Sequence, residues 1–582
     1  MSSDERRKKV LVIGLDAATP ELLMRWVREG KLPTFAELID EGVYGKLKST
    51  IPFVTCPAWL SFMTGKNPGK LGIFDFVERA PGTYDIKVVD FQSAKSKSLW
   101  GVLSERGKKV GVFNVPTTFP PRKVNGFVVS GWPIPQGAVF TYPSDLQSKL
   151  GMLIRGQEGP DRTIMMATWR WFAGEDEYLE GLYRFTEREV KATKYLMENY
   201  DWDFFMTVFT CSDPIQHFFW KYMDPEHPLH SPDGAKRYGD EILKFYQRMD
   251  KTIRDLLNSV SDDVSVIIMS DHGAEALHNF FNVNDWLCEK GFLVIKKGSR
   301  HISNPLSRLL PRKERILDPV IHLAHSLGLL RVYYFITDHS SILRALVERV
   351  WSLIEAMPST HASIGEVNVD WSKTNAYSFG TGNVGSIHIN LKGREPEGII
   401  DLGEQYEELR TRLVGELRDL IDPKSGRKVD ITIFKKEEIY HGEYLSQAPD
   451  IVFFTNDFKT GIDATFGHDD FFTYDLSGRH DNGKHRLNGI LILKGPQFKE
   501  ETEISGAEII DVAPTILYMM NCPIPSDMDG KVLTDAFRPS YLESNPAKYE
   551  EVMKETGPPK YKWSKEDEER IKERLKALGY IE

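Results

Sequence analysis

Four places in this chain carry side chains suited to hard or borderline divalent cations. They are Asp16 in GLDAA, Asp213 and His217 in CSDPIQH, Asp271 and His272 in SDHG, and His480 and His485 in GRHDNGKHRLNGILILKGP. Mixed Asp and His ligation is what Zn²⁺ sites use, and Mn²⁺ or Fe also accepts it. If the 213–217 segment opens a helix, its i,i+4 spacing puts both side chains on one face, where they can grip one ion. Asp271 and His272 stand together where a strand ends and the chain turns at Gly273, so they can converge on a second ion. Taken singly, each motif is weak, since an isolated DxxxH or DHG is more often chance or a structural hydrogen-bonding pair.

The chemistry lacks only a hydroxyl, and TIPFVTCPAWLSFMTGKNPGKLGIFDF (50–76) offers Thr55. Pro57 and the later TG-x-x-PG turn predict that Thr55 begins a helix whose free amides can receive a phosphate oxygen. Threonine is a poor nucleophile at neutral pH, and coordination to a divalent cation lowers the pKa of its hydroxyl. The alternative is an N-cap threonine with no chemical role.

The elements that must position these residues are legible as short apolar runs that stop abruptly: VLVIGL (10–15), FFMTVFT (204–210), VSVIIM (264–269) and ILIL (490–493). Continuous rather than alternating apolar runs indicate strands buried on both faces, as in a parallel sheet covered by helices. Helical patterns lie between them, at 20–30, 34–42, 177–200 and 239–260. The alternation predicts an α/β fold with a mostly parallel central sheet. Ligands bind beyond the carboxyl ends of such strands, and there Asp16, Asp213 and Asp271 fall. The Pro- and Gly-rich stretch 80–175 reads as loops and short strands near the site. Residues 297–356 open with a basic stretch, which reads first as a solvated face and otherwise as a contact for an anionic substrate, and continue as helical segments that read as an inserted cap. The end, KWSKEDEERIKERLKALGYIE (562–582), reads as a charged surface helix.

Composition bounds the function. The 582 residues carry 74 Lys+Arg against 84 Asp+Glu, a net charge of −10, which excludes a generally basic nucleic-acid binder, so no nucleic acid is expected as partner. With 41% hydrophobic residues the chain buries a large core. Cys56, Cys211, Cys288 and Cys522 are too far apart for a metal knuckle and suggest no disulfide framework, so a reducing cytoplasm is expected. The run VLVIGL is too short for a secretory core, and LGLLRVYYFI (327–336) is too short and too charged in its flanks for a transmembrane segment.

The order of motifs over nearly the whole chain resembles the alkaline phosphatase superfamily, and within it the type I phosphodiesterase/nucleotide pyrophosphatase branch, especially its predicted phosphohydrolases and phosphomutases. The motifs are VIGLDAATPELL, LPTFAELIDEGVYG, TCPAWLSFMTGKNPGKLGIFDF, SDHGAEALHNFFNVNDWL, INLKGREPEGII, HRLNGILILKGP and IIDVAPTILYMMNCPIPSDMDGKVL. The resemblance implies an alkaline-phosphatase-like three-layer fold with inserted cap segments. It also implies two divalent metal ions, Zn²⁺ with Mn²⁺ as the alternative. Asp16, Thr55, Asp271 and His272 correspond to the ligands of one, with Thr55 the nucleophile. Asp213, His217 and His485 correspond to those of the other. His485 is preferred over His480 because its spacing to the GILILKGP strand is the family's. The implied activity is hydrolysis of a small-molecule phosphate ester, a phosphodiester first, through a phospho-threonine intermediate. Transfer to another alcohol, as in a phosphomutase, and non-catalytic binding of a phosphate ligand are the alternatives.

The sequence also departs from the family. Leu71 stands where relatives carry histidine, and Phe76, beside Asp75, stands where nucleotide pyrophosphatases place an asparagine on a phosphate oxygen, so the phosphate clamp differs. Cys56 lacks the C-x-P-x-R context of a sulfatase. His278 and Asn282 read as surface helix or loop positions or as residues that face the substrate, Asp511 as a helix N-cap, and Trp59, Trp220 and Trp286 as core or pocket wall, or as aromatics that stack on a leaving group. Because the implied ligands run from 16 to 485, residues 8–540 are expected to form one catalytic domain with insertions at about 80–190 and 297–370. A charged helical tail follows at 541–582.

Overall fold

The computed structural model describes residues 8–80, 82–94, 96–135, 137–154, 174–296, 362–380, 382–476, 481–551 and 563–577. The cap expected at 297–356 therefore lies outside the described residues, as does His480.

Nine strands build the central sheet: β1 (Val10–Leu15), β2 (Val43–Lys48), β3 (Val110–Val115), β4 (Gly126–Ser130), β5 (Thr141–Tyr142), β6 (Phe204–Phe209), β7 (Ser265–Met269), β8 (Asn488–Lys494) and β9 (Thr502–Glu508). Their order across the sheet is β9-β2-β8-β7-β1-β6-β3-β4-β5. β1 runs parallel to β6 and β7 on either side, with Val10 opposite both Phe204 and Ser265. β8 is the exception in the middle, antiparallel to both β2 and β7. The sheet is thus mostly parallel and the fold α/β.

The apolar runs are continuous because both sheet faces are covered. Val10 and Val12 enter one core cluster while Leu11, Ile13 and Leu15 enter the other, and Leu491 and Ile492 divide in the same way. Alternate strand residues therefore feed opposite helical layers. One layer includes α1 (Pro20–Arg28) together with α3 (Glu175–Asn199), α4 (Ser212–Met223) and α5 (Glu241–Leu257). The other includes α2 (Thr55–Thr64) and α6 (Val512–Met519).

Part of the stretch expected to be inserted at 80–190 belongs to the sheet itself, since β3, β4 and β5 extend it beyond β6. The intervening prolines and glycines of PTTFPPRKVNG shorten these strands and obscure their pattern. Residues 362–476 carry a second layer with its own core. Its antiparallel sheet orders Ala376–Tyr377, Gly385–Ile389, Ile451–Thr455 and Ile431–Lys435, with the helix Glu404–Arg418 packed in the same cluster. Asp450, fully buried at the edge of that layer, receives Arg394 at 2.6 and 2.9 Å, Lys436 at 2.9 Å and the Tyr406 hydroxyl at 2.6 Å.

The charged helix at the end, Lys565–Ala577, is anchored. Trp563 donates its indole N–H to Asp90 at 2.6 Å, and Ile571 is buried with Val77 and Val88. Asp511 stands at the start of α6 but does not cap it; its carboxylate accepts the Glu508 and Lys531 amides at 3.0 and 2.8 Å. Trp59, Trp220 and Trp286 are core residues, and Asn282 is buried, donating to the Asp470 carbonyl at 2.7 Å. All four cysteines are free thiols, and among the described residues no helix is long and apolar enough to cross a membrane.

Candidate active site

Three neighbouring strands end at the same edge and deliver the acidic residues. Asp16 follows β1, Asp213 lies in the first turn of α4 just after β6, and Asp271 and His272 follow β7. The turn after Asp16 is tight: Ala17 adopts a left-handed φ of 57°, and its amide donates to Asp271 Oδ1 at 3.2 Å. A non-glycine residue in that region costs about 1–2 kcal/mol, which the surrounding contacts must offset. Gly14 gives Trp59 room against β1, since a Cβ there would lie 2.8 Å from the indole.

Thr55 is the first residue of α2, and Val54 occupies the cap position without a side-chain bond. The Thr55 hydroxyl is therefore not a cap. It sits 3.3 Å from His272 Nε2. His485 comes from the short strand Gly483–Arg486, which pairs antiparallel with Gly273–Ala276 so that His485 faces Ala274. Gly483 permits this, because a Cβ on it would lie 2.4 Å from the Gln216 carbonyl oxygen and 3.2 Å from the His217 Cα. The strand carrying His485 thus lies directly on the helix turn carrying His217.

All seven residues expected at the site come together. Ligand atoms of Asp213, His217 and His485 lie within 4.8 Å of one another, and so do those of Asp16, Asp213 and His272. Asp213 thus touches both groups, rather than belonging to one. His217 Nε2 is 3.1 Å from Asp213 Oδ1 and 3.0 Å from His485 Nε2, while His485 Nε2 is 3.4 Å from Asp213 Oδ1. On the other side, His272 Nε2 is 3.2 Å from Asp271 Oδ2 and 3.8 Å from Asp16 Oδ1.

The second nitrogen of each ring fixes what the first can do. His272 Nδ1 faces the Gly273 carbonyl at 3.1 Å, and a carbonyl only accepts, so Nδ1 carries the proton and Nε2 presents a lone pair. Burial holds that imidazole down to about 4, so it stays neutral. Its lone pair then faces carboxylate and hydroxyl oxygens. Asp16 Oδ1 and Asp271 Oδ2 are buried and accept no hydrogen bond among the described residues. Burial, reinforced by Asp271 and Asp213, pushes the Asp16 carboxyl well above its ordinary range. Unsatisfied acceptors gathered at one buried point repel one another unless a cation joins them, which is the donor set a Zn²⁺ or Mn²⁺ ion fits.

His217 has a similar arrangement with a different partner. Its Nδ1 lies 2.9 Å from Asp481 Oδ1, and the Lys484 ammonium meets Asp481 Oδ2 at 2.5 Å. Burial alone would lower its pKa; Asp213 and Asp481 outweigh that and raise it to about 10 when no cation is present. The His485 backbone is held as well, its amide donating to Asn383 Oδ1 at 3.0 Å. Asp481, Lys484 and Asn383 were not singled out from sequence. Asp481 stands inside GRHDNGKHRLNG, but nothing in its spacing marks it, and only the fold brings it to His217.

The chain was compared with family models, curated proteins and solved structures. Residues 10–326 match the family model for type I phosphodiesterase / nucleotide pyrophosphatase. No curated protein matches the sequence. Among solved structures, murine ectonucleotide pyrophosphatase/phosphodiesterase 5, as an inactive variant in complex with AMP, aligns with TM-score 0.44 and 13% identity over 91% of this chain and 100% of its own. The same murine protein in a second structure gives 0.45 and 14% over 91% and 100%, and the human protein 0.44 and 13% over 92% and 99%.

Proposed function

The chain belongs to the type I phosphodiesterase / nucleotide pyrophosphatase family, whose activity is phosphate ester hydrolysis, and from that premise we propose that it cleaves phosphodiesters with Thr55 as nucleophile. The observation that carries the assignment is the position of Thr55 Oγ1, buried 3.3 Å from His272 Nε2 and free of any capping duty. Asp16, Asp271 and His272, with Thr55, would hold one divalent cation and Asp213, His217 and His485 the other, with Asp213 within reach of both. Zn²⁺ suits these donors best and Mn²⁺ is the alternative. When bound, such cations supply positive charge that favours the threonine alkoxide and neutralises the phosphoryl oxygens.

The residues then divide the work. Thr55 Oγ1 releases its proton to solvent water and attacks phosphorus, forming a Thr–O–P bond as the bond to the leaving alcohol breaks, and the departing alkoxide takes a proton back from water. A second water cleaves the phospho-threonine and returns the hydroxyl to Thr55. The Gly273 carbonyl keeps the His272 proton on Nδ1, away from the nucleophile, and Asp481 does the same for His217.

The test is turnover of bis-p-nitrophenyl phosphate, p-nitrophenyl phosphate and a phosphonate monoester by the metal-loaded protein and its Thr55→Ala variant. The diester is expected to be the best substrate. The variant is expected to lose about 10³-fold or more in kcat while keeping its metal content and melting temperature. Full activity in the variant would remove Thr55 from the mechanism, and wild-type protein that binds the metals yet turns over none of the three would favour a phosphate-binding role.

A further inference from the structure

A cavity of about 300 Å³ lies between the loop after Gly72 and the antiparallel sheet of residues 376–455. Two of its wall segments lead within one residue to the chemistry. Val54 immediately precedes Thr55, and Gly382 and Val384 flank Asn383, which holds the His485 amide. Its volume is at the lower end of small-ligand pockets, and its wall is mainly apolar: Val54, Phe74, Val77, Phe379, Val384 and Val452.

Two buried polar side chains in that wall are unsatisfied. Tyr440 and His388 are 2% and 4% exposed, and neither the Tyr440 hydroxyl nor His388 Nε2 has a hydrogen-bond partner among the described residues. Leaving such groups buried and unpaired costs about 1–3 kcal/mol each, so both call for a partner that occupies the space they border. Both are neutral, the phenol because burial raises it far above the neutral range and the imidazole because burial and nearby Arg79 and Arg394 lower it.

The charged side chains of the wall argue against an ionic guest. Arg79 is paired with Glu395, Arg394 with Asp450, and Glu78 with Lys87. Among the described residues of the lining, no cation is left to receive a second phosphate or a carboxylate. Asp75 is the remaining ionisable group; burial, opposed by the Phe76 amide at 2.6 Å, pushes it up to about 7, so it receives a hydroxyl donor more readily than an anion. The aromatic lining favours a flat ring: Phe379 stacks on His388 with centroids 4.5 Å apart, and Phe74 meets Tyr440 edge-on at 5.0 Å.

We propose that this cavity receives an uncharged, ring-bearing alcohol portion of the phosphodiester, its ring against Phe74 and Phe379 and its hydrogen-bonding atoms on Tyr440 and His388. The role as a substrate subsite rests on the hydrolase reading above; the affinity for a neutral ring does not. Two measurements on the metal-loaded protein separate them. In saturation-transfer NMR, resorcinol is expected to bind the wild type, about fivefold more weakly to Tyr440→Phe, and not detectably to Val384→Trp, which fills the cavity. In kinetics, Val384→Trp is expected to raise KM for bis-p-nitrophenyl phosphate at least tenfold. Its kcat/KM for the ring-free bis(2,2,2-trifluoroethyl) phosphate, followed by ¹⁹F NMR, should stay within twofold of wild type. Failure of resorcinol to bind the wild type, or equal effects of Val384→Trp on the two esters, overturns the proposal. If Val384→Trp does not fold, unchanged resorcinol binding by Tyr440→Phe overturns it instead. If the wild type hydrolyses neither ester, the hydrolase reading falls, and the resorcinol titration still decides the cavity.

Discussion

Replacing Asp481 with asparagine reverses one hydrogen bond without changing the shape of the side chain. Asp481 now accepts from His217 Nδ1 at 2.9 Å and from the Lys484 ammonium at 2.5 Å. Asparagine has one accepting and one donating end, and Lys484, which only donates, claims the accepting end. The amide nitrogen then faces His217 Nδ1 and donates to it. This moves the imidazole proton to Nε2, the nitrogen that lies among Asp213 and His485. A protonated Nε2 cannot ligate, so the ring must turn or lose its partner. Loss of such an outer partner weakens metal affinity about 10–100-fold, or about 1.4–2.7 kcal/mol. The assay is competition between the protein and a chelator of known affinity, read separately for the tighter and weaker cation. Only one of the two affinities is expected to fall. Lys484→Met separates orientation from stability: it removes the ion pair but leaves Asp481 facing His217, so affinity should stay within about threefold even if the protein melts earlier. Asp481→Asn with wild-type affinity for both cations would refute the reasoning.

Two further perturbations test the frame around the site. Asp450→Asn breaks the buried contact with Arg394 and Lys436 and is expected to cost about 3–5 kcal/mol by urea unfolding at pH 6. Despite burial, these cations hold the Asp450 carboxyl well below its ordinary range. Its stabilisation is therefore complete above the unfolded value of about 3.9 and is lost as pH falls from there towards the depressed folded value. The gap between wild type and variant should narrow as pH falls below about 4, and a gap that widens there would contradict the assignment. Gly483→Ala places a methyl 2.4 Å from the Gln216 carbonyl and should destabilise by about 1–3 kcal/mol while weakening binding of the cation proposed for His217 and His485. Unchanged urea and metal titrations would show that the strand can back away.

Much of this architecture could be read from residue order because the strands are buried on both faces. VLVIGL and VSVIIM must be continuous to satisfy two cores, and their abrupt polar ends place Asp16 and Asp271. The i,i+4 spacing of Asp213 and His217 likewise needs only one helix to bring both side chains to one face. Other features were hidden because they depend on partners far away in the chain. The antiparallel course of β8 leaves no mark on GILILK, since a strand buried on both faces reads the same in either direction. β3, β4 and β5 are short and separated by proline- and glycine-rich connections. Asp481 acquires its role only when Gly483 lets its strand settle on α4, and the second layer at 362–476 shares no motif with the sheet that carries the chemistry.

The place of β8 has a consequence for how the protein is made. It lies between β2 and β7, though it is synthesised long after both. As the nascent chain leaves the ribosome, β7, β1, β6, β3 and β4 can already pair, but β7 and β2 each keep an open apolar edge until Asn488–Lys494 emerges. At 5–20 residues per second that interval lasts on the order of ten seconds or more. Throughout it, the two facing edges of β7 and β2 are offered to any passing chain, and so is the edge of β2 that β9 later covers. One late strand then closes both facing edges and, through the neighbouring His485, brings in the last of the seven side chains, so the gap in the sheet and the gap in the site close together.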